Sequence, residues 1–416
     1  MATAFSRIGS ANTYDNALHN LQIRQSALST LQENLSSGKK VVRASDDPTG
    51  AAQAERAMTR ITRIQTDQRA LEAQRNAIAS AESTLGDVSQ TLQNFRELVA
   101  SAGNGTQTAQ DRKTIAAQLM GLRDQVLALS NRKDTNGLPL FSGLGSALAP
   151  FVGPQALPTD YTFNGLPGQS SSSDVSIPFT LDGDSAFMHQ PARDGVYNVS
   201  VAAVAPTHQM QTSAVTVTNA AAVTGASYAI AITAVDTTTV PGTTTVSYNV
   251  TATPPGTVTA QTAPGYPTGQ AANIAVAGMP GLSLSIKGAP AVGDTLSINP
   301  SPSVFSVLDN AIRDIGTATD SNAAIQAVNQ ALNNIDIGMS RVSAVRGLAG
   351  DLLNRADRIT TTQEKRSIQL EADRSRAEDL DMTKGISDFQ QQQTAYQAAL
   401  QSYAQVQKLS LFNYIG

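Results

Sequence analysis

The stretch ITRIQTDQRALEAQRNAIASAESTLGDVSQTLQNFRELV, residues 61–99, sets the architecture of this chain. Within it Ile64, Leu71, Ile78, Leu85, Leu92 and Val99 recur at strict intervals of seven, and Ile61, Val88 and Phe95 occupy part of a second seam. A seven-residue apolar repeat describes a helix that packs along a partner over many turns. The run opens at Ser45-Asp46-Asp47-Pro48. An Asp carboxylate there can accept orphan backbone N–H bonds, and Pro48 suits the first helical position. Gly103-Asn104-Gly105 ends it. At ~1.5 Å per residue, a helix from about Pro48 to Ser101 is on the order of 80 Å long. That exceeds an ordinary globular helix and predicts a coiled coil or bundle.

Further apolar stripes flank this one. Upstream, Leu18, Leu21, Leu28, Leu31 and Leu35 mark a helix that stops at Ser36-Ser37-Gly38, where Gly38 can take the left-handed cap. Downstream, Ile115, Leu119, Leu122, Val126 and Leu129 mark a third helix that packs back on the second. Near the C-terminus, Val304, Leu308, Ile312 and Ile315 predict a short helix. Ile325, Val328, Leu332, Ile335, Met339 and Val342 predict a long one, continuing through Leu353 and Ile359 to about Leu370. A last helix starts near Asp381, with Ile386, Phe389, Tyr396, Leu400 and Tyr403 on one face. Two of these stripes lie at the extreme ends of the chain. A lone helix of this length is marginal in water, so the two need each other or a neighbouring subunit.

The 416 residues carry 29 Lys and Arg against 33 Asp and Glu, and charged residues make up 15%, below the ~25% of an average soluble domain. The deficit lies in the middle: residues 150–303 hold Arg193 and Lys287 as their only cations and contain no Glu. That span is rich in Thr, Val, Gly and Pro, which predicts short strands and turns. The expected class is therefore α plus inserted β. Both helical ends meet as a long antiparallel rod or coiled coil, and a β-rich domain is inserted between them.

Chemistry is sparse. Cys and Trp are absent, and the three His are His19, His189 and His208. This rules out a disulfide framework, a Cys-type zinc site and a thiol nucleophile, and argues against a His metal site or a Ser-His-Asp triad. There is no Walker loop, no G-x-G-x-x-G and no H-E-x-x-H, so no cofactor or metal is expected. The carboxylate pairs Asp46-Asp47 and Asp379/Asp381 read as helix caps ahead of apolar runs. A net charge of -4 gives no basic surface for nucleic acid. No apolar run approaches the ~18 residues of a membrane span. Met1 to Gly9 lacks the apolar core of a secretory signal, so export by another route is expected.

Two motifs at opposite ends carry a family resemblance. Leu35-Ser36-Ser37-Gly38-Lys39-Lys40-Val41, followed by Ala44-Ser45-Asp46-Asp47-Pro48-Thr49-Gly50-Ala51-Ala52, resembles the N-terminal signature of bacterial flagellins and their junction relatives. Glu378-Asp379-Leu380-Asp381-Met382, Gln391-Gln392-Gln393, Tyr396-Gln397-Ala398-Ala399-Leu400 and Leu409-Ser410-Leu411-Phe412 resemble the C-terminal signature of the same superfamily. The resemblance spans about 1–145 and 304–416 and leaves 150–303 untouched. Pro48 after Asp47, Leu21-Gln22-Ile23-Arg24-Gln25 with Leu31-Gln32, and Asn136-Gly137 with Leu140-Phe141-Ser142-Gly143 resemble the hook–filament junction branch. Pro139 departs from that branch's usual Tyr. The ending Leu411-Phe412-Asn413-Tyr414-Ile415 departs from the Leu-Leu-Arg type common in flagellins.

The resemblance implies a terminal coiled-coil domain of residues 1–45 and 376–416. It implies a helical rod of 46–149 and 304–375 with a β-hairpin near 137–148, and an outer β domain over 150–303. It implies a non-enzymatic structural subunit of the bacterial flagellum, exported unfolded to the cell exterior. The expected partners are hook-associated protein 1, flagellin, further copies of itself and a flagellar export chaperone. Leu18, Leu21, Leu28, Leu31, Leu35, Ile386, Phe389, Tyr396, Leu400 and Tyr403 are the expected subunit-interface residues, with Ser45, Asp46, Asp47 and Pro48 as the signature cap. Two rival readings are a flagellin that builds the filament itself and an adhesin or glycan-binding module in residues 150–303.

Overall fold

The heptad stretch forms one unbroken helix of 55 residues, Pro48–Ala102, in a computed structural model that describes residues 10–155, 160–203 and 210–415, with side chains from 15 to 405. It is α2, between α1 (Ser10–Ser37) and α3 (Ala109–Ser130). The middle follows as β1 (Phe151–Val152), β2 (Thr162–Phe163), α4 (Gly183–Phe187) and α5 (Pro191–Asp194). Then come β3 (Tyr197–Ala202), β4 (Met210–Thr212), β5 (Thr216–Val217), β6 (Ser227–Asp236), β7 (Thr243–Thr253) and β8 (Thr257–Thr262). After them lie β9 (Tyr266–Pro267), β10 (Ala272–Ala275), β11 (Leu282–Ser283), β12 (Ser285–Gly288) and β13 (Thr295–Pro300). Three helices close the chain: α6 (Val304–Thr317), α7 (Ser321–Glu378) and α8 (Met382–Ile415). His208 and the ends of the chain at Met1 to Gly9 and Gly416 lie outside the described residues.

The chain divides into two compact units, Met1–Arg69 with Thr360–Gly416, and Ala70–Ile359. The second contains the main helical core. Leu71, Ile78, Leu85, Leu92 and Val99 of α2 are buried there with Val88 and Phe95. They meet Ile115, Leu119 and Val126 of α3, Phe305, Leu308 and Ile315 of α6, and Ile335, Val342 and Ile359 of α7. Each such side chain contributes ~1.5–3 kcal/mol by leaving water, which is why the repeat dominates local preferences. Ion pairs along the rim fix the direction: Arg75 to Asp357 at 3.2 Å, Arg346 to Glu82 at 2.7 Å and Arg96 to Asp336 at 2.7 Å. Ascending numbers on α2 meet descending numbers on α7, so the two run antiparallel.

Two expectations for the middle are corrected. Much of residues 150–196 packs with the helices instead of the β domain: Phe151, Tyr161, Ile177, Leu181, Phe187 and Val196 are buried in the helical core, while α5 also touches the 220–222 turn. Phe151 centres an aromatic nest, 5.1 Å from Phe163, 5.1 Å from Phe187 and 5.5 Å from Phe305. The rings are too irregularly spaced to give a period. Nor do residues 137–148 form a hairpin of their own. Lys133 bridges Pro139 around the Asn136-Gly137 turn, Ser142 bridges Asp182, and Gly143 bridges Leu166. Gly143 has φ +62°, and a Cβ there would sit 2.3 Å from the Leu166 carbonyl oxygen. The close approach draws the segment to residues distant in sequence.

The β domain proper starts at Tyr197. Its larger sheet is antiparallel in the order β3-β13-β6-β7-β8, with β9 pairing β7. A smaller sheet runs β10-β12-β4, and β11 pairs β5. Tyr228, Ile230, Tyr248, Val250, Ile274, Ile286 and Ile298 are among its core residues. Along β7, Thr244, Val246, Tyr248 and Val250 alternate inward, the period of a half-buried strand. Amides on successive turns of α7 hold two of the strands. Asn322 Nδ2 donates to the Met210 carbonyl, Gln326 Oε1 accepts the Thr212 N–H at 2.8 Å, and Gln330 and Asn334 both donate to the Tyr197 carbonyl at 2.8 Å.

Candidate functional site

The terminal helices α1 and α8 pack against each other. Lys39 forms an antiparallel bridge with Asp379, and Leu35 approaches Gly385, so the end of α1 lies beside the start of α8. The pairing follows from stripes that neither helix can cover alone. It leaves much of them open. Leu21 is buried, and Leu28, Leu31, Leu35, Phe389, Tyr396 and Tyr403 are half-buried. Leu18 is 39% exposed, Ile386 47% and Leu400 42%. The α2 heptad residues from Leu71 to Val99 are at most 2% exposed. Ile23 and Met382 add to the open apolar surface. The sequence reading missed both, because they fall off the stripes that it traced.

A polar joint forms where α1 ends and α7 gives way to α8. Gly38 takes φ +72°, the left-handed cap expected of it. Its carbonyl accepts the Leu380 N–H at 2.9 Å, and the Glu378 carbonyl accepts the Lys40 N–H at 2.8 Å. The Lys39 ammonium pairs with the Glu378 carboxylate, which also meets Arg374 at 3.2 Å. Lys40 Nζ donates to the Arg376 carbonyl at 2.6 Å. These basic and acidic positions carry no periodicity: Lys39, Lys40 and Glu378 are marked only by lying within the signatures, and Arg374 and Arg376 lie just outside them.

The carboxylate pairs act on the backbone. Asp47 Oδ1 accepts the N–H groups of Gly50 at 3.0 Å and Thr49 at 3.1 Å and the Thr49 hydroxyl at 2.7 Å, ahead of Pro48 at the start of α2. The Gly50 N–H and the Thr49 hydroxyl hold its carboxyl below the usual carboxylate range. Asp381 Oδ1 accepts the N–H groups of Thr383 at 3.0 Å and Lys384 at 3.1 Å, capping α8. Asp46 instead closes a turn, accepting the Arg43 N–H at 2.8 Å. Ser45 stays exposed, its hydroxyl 3.4 Å from Asp46 Oδ1.

The second unit holds the one buried histidine among the described residues. His189 Nδ1 lies 3.2 Å from the Ser301 carbonyl oxygen, and its Nε2 has no partner. Burial, reinforced by the Arg341 guanidinium, pushes it down to about 4. No group of three or more His, Asp or Glu capable of holding a metal occurs among the described residues. No helix there is long and apolar enough to cross a membrane.

Two family models match the chain: the bacterial flagellin N-terminal helical region over residues 8–146 and the bacterial flagellin C-terminal helical region over residues 325–415. Together they span more than half of it. Flagellar hook-associated protein 3 of Salmonella typhimurium is 34% identical over 147 residues, 35% of this chain and 46% of that protein. Flagellin of Bacillus subtilis is 35% identical over 130 residues, 31% of this chain and 43% of that protein. The matched stretches thus span less than half the length of these relatives. A solved structure of flagellar hook-associated protein 3 from Legionella pneumophila is similar with a TM-score of 0.61 at 26% identity, over 76% of this chain and 97% of that one.

Proposed function

Because the chain belongs to the bacterial flagellin family, we propose that it is a structural, non-enzymatic subunit of the flagellum, seated at the junction between hook and filament. In this reading it forms a ring that meets hook-associated protein 1 on one side and flagellin on the other. It reaches the outside of the cell through the flagellar export apparatus with the help of a chaperone, and it uses no cofactor. The similarity to hook-associated protein 3 in two bacteria supports the junction over the filament.

The observation that carries this reading is the half-open apolar stripe of the terminal pair. Leu18, Ile386 and Leu400 stay exposed on helices that have already found each other. Exposed apolar groups in a continuous stripe mark a surface awaiting a partner. In the assembled ring that partner is the terminal pair of the neighbouring copy, with Leu18, Leu21, Leu28, Leu31, Leu35, Phe389, Tyr396 and Tyr403 completing the seam. The joint at Gly38, Asp47 and Asp381 sets where the pair begins and leaves α1 and α8 free to present that seam.

The experiment is Leu400→Asp. A charge placed in a seam that must become dry prevents docking, whereas at an exposed position it leaves the monomer within ~0.5 kcal/mol of the parent. Cells carrying it are expected to export the protein, fail to retain it on the flagellum and lose motility. Normal swimming with the variant in place would overturn the reading. The flagellin similarity supports a second reading, a filament subunit. Purified protein that polymerises alone into long fibres would favour it.

A further inference from the structure

One flank of the first unit carries arginines that nothing within the unit uses. Arg56, Arg60 and Arg63 follow one another on α2 at steps of four and three, so they share a face. All three are exposed, and none has a hydrogen-bond or ion-pair partner among the described residues. Arg56 and Arg60 line a groove between α2 and α7, together with Leu370 and Arg376. The one carboxylate that lines it, Asp373, is taken by Arg376 of its own helix. Asp67, one turn on from Arg63, offsets a single charge. Like charges at these steps destabilise a helix that stands alone. A guanidinium grips a carboxylate through two parallel N–H bonds, so this flank fits a carboxylate-bearing partner.

The opposite flank of α7 carries the matching charge. Glu371 lies two residues from Asp373, roughly 160° round the helix. Glu364 precedes it by seven residues on the same face. Neither lines the groove. Glu371 meets Arg374 at 2.7 Å, Arg374 meets Glu378, and Glu378 pairs with Lys39, so this flank is the one that holds the joint with α1. Glu364 is exposed and has no partner among the described residues. The Glu371 side chain is 55% exposed, and an ionised carboxylate has room for a second guanidinium.

We propose that the arginine groove is a lateral docking site in the ring, and that its occupant is the Glu364–Glu371 flank of the neighbouring copy. The contact rests on the ring described under Proposed function. Like-pointing copies in a ring meet through two different patches, and here the two patches lie on opposite flanks of one segment. A two-fold contact would set arginine on arginine. Height matches, because Arg56 and Arg60 lie beside the stretch from Leu370 to Arg376 that contains Glu371. Spacing matches, because Arg56 and Arg63 stand seven residues apart, as do Glu364 and Glu371, about 10.5 Å along either helix. Direction matches too. α2 and α7 are antiparallel, so α2 of one copy runs against α7 of a like-pointing neighbour. Arg56 then faces Glu371, Arg63 faces Glu364, and Arg60 lies between.

The test reverses charge in the full chain, carried by a strain whose own copy is deleted. Arg56→Glu with Arg63→Glu is expected to leave export and the circular dichroism of the purified monomer unchanged. It is expected to reduce filament-bearing cells about tenfold or more. Glu364→Arg with Glu371→Arg is expected to do the same, and all four changes together to restore filaments. The chain has no native cysteine, so introduced pairs report the contact. On mild oxidation of intact flagella, Arg63→Cys with Glu364→Cys in one chain is expected to give covalent dimers, trimers and longer species. The two single variants expressed together are expected to stop at dimers. Filaments restored in full by the arginine-reversed chain would overturn the contact. So would a fourfold reversal that rescues nothing, which would put the facing carboxylates on another protein, or an oxidised double variant that stays a single chain. The junction reading fails differently, through a deletion strain that bears normal filaments with no copy supplied.

Discussion

His189 makes the second unit acid-sensitive in a window that its geometry fixes. The side chain is 3% exposed, with the Arg341 guanidinium, Asp194 and Arg193 around it and the Ser301 carbonyl as its only hydrogen-bond partner among the described residues. Its pKa is pushed down to about 4 in the fold and returns to ~6.5 when the chain unfolds. The unfolded chain therefore binds the extra proton first. Stability is intact above pH ~6.5 and falls as pH drops towards 4, where ~3 kcal/mol has been lost to this group. At pH 5 the loss relative to pH 7.5 is ~2 kcal/mol. The assay is urea unfolding of the full chain and of His189→Gln at both pH values. The signal is tyrosine fluorescence, since Tyr161, Tyr197, Tyr228, Tyr248 and Tyr266 lie in the second unit. Carboxylates that titrate in both proteins cancel in the difference. The parent is expected to lose ~2 kcal/mol more than His189→Gln between pH 7.5 and pH 5. Equal losses in the two proteins would refute the reasoning.

Three further outcomes follow from the same packing. Phe305→Ala removes a fully buried ring from contact with Phe151, Tyr161 and Phe187 and is expected to cost ~3–5 kcal/mol, read as a lowered urea midpoint. Gly143→Ala drives a methyl group into the Leu166 carbonyl at a positive φ. It should cost more than the ~1 kcal/mol of the conformation alone, whereas Gly38→Ala, with open space around it, should cost only about that. Gln326→Leu strips the Thr212 N–H of its acceptor, and a buried unmet donor costs ~1–3 kcal/mol. Faster hydrogen exchange at Thr212 is the specific readout.

The helical part of this fold is written in its apolar periods. Every α2 heptad residue from Ile64 to Val99 is buried, and the helix starts at Pro48, where the capping residues place it. Thr108 was not part of that reading, yet it caps α3 through a reciprocal pair with Asp111. The nest around Phe151 lacks any period, so residues 150–196 read as part of the β insertion although much of that span packs with the helices. The amides from Asn322 to Asn334 fall among ordinary surface polar residues in a one-dimensional reading. Their role exists only once the β3 and β4 edges arrive beside them. The terminal stripes were legible as amphipathic. Their half-open state after pairing was not, because exposure depends on how much of each stripe the partner helix covers.

The central claim is tested most directly by a clean deletion of the gene, with electron micrographs of the cells and an assay of the medium for flagellin. The account predicts hooks without filaments, together with abundant monomeric flagellin in the medium. Normal filaments on the deletion strain would contradict it, and so would bare hooks with no flagellin anywhere, which would make this chain the filament subunit.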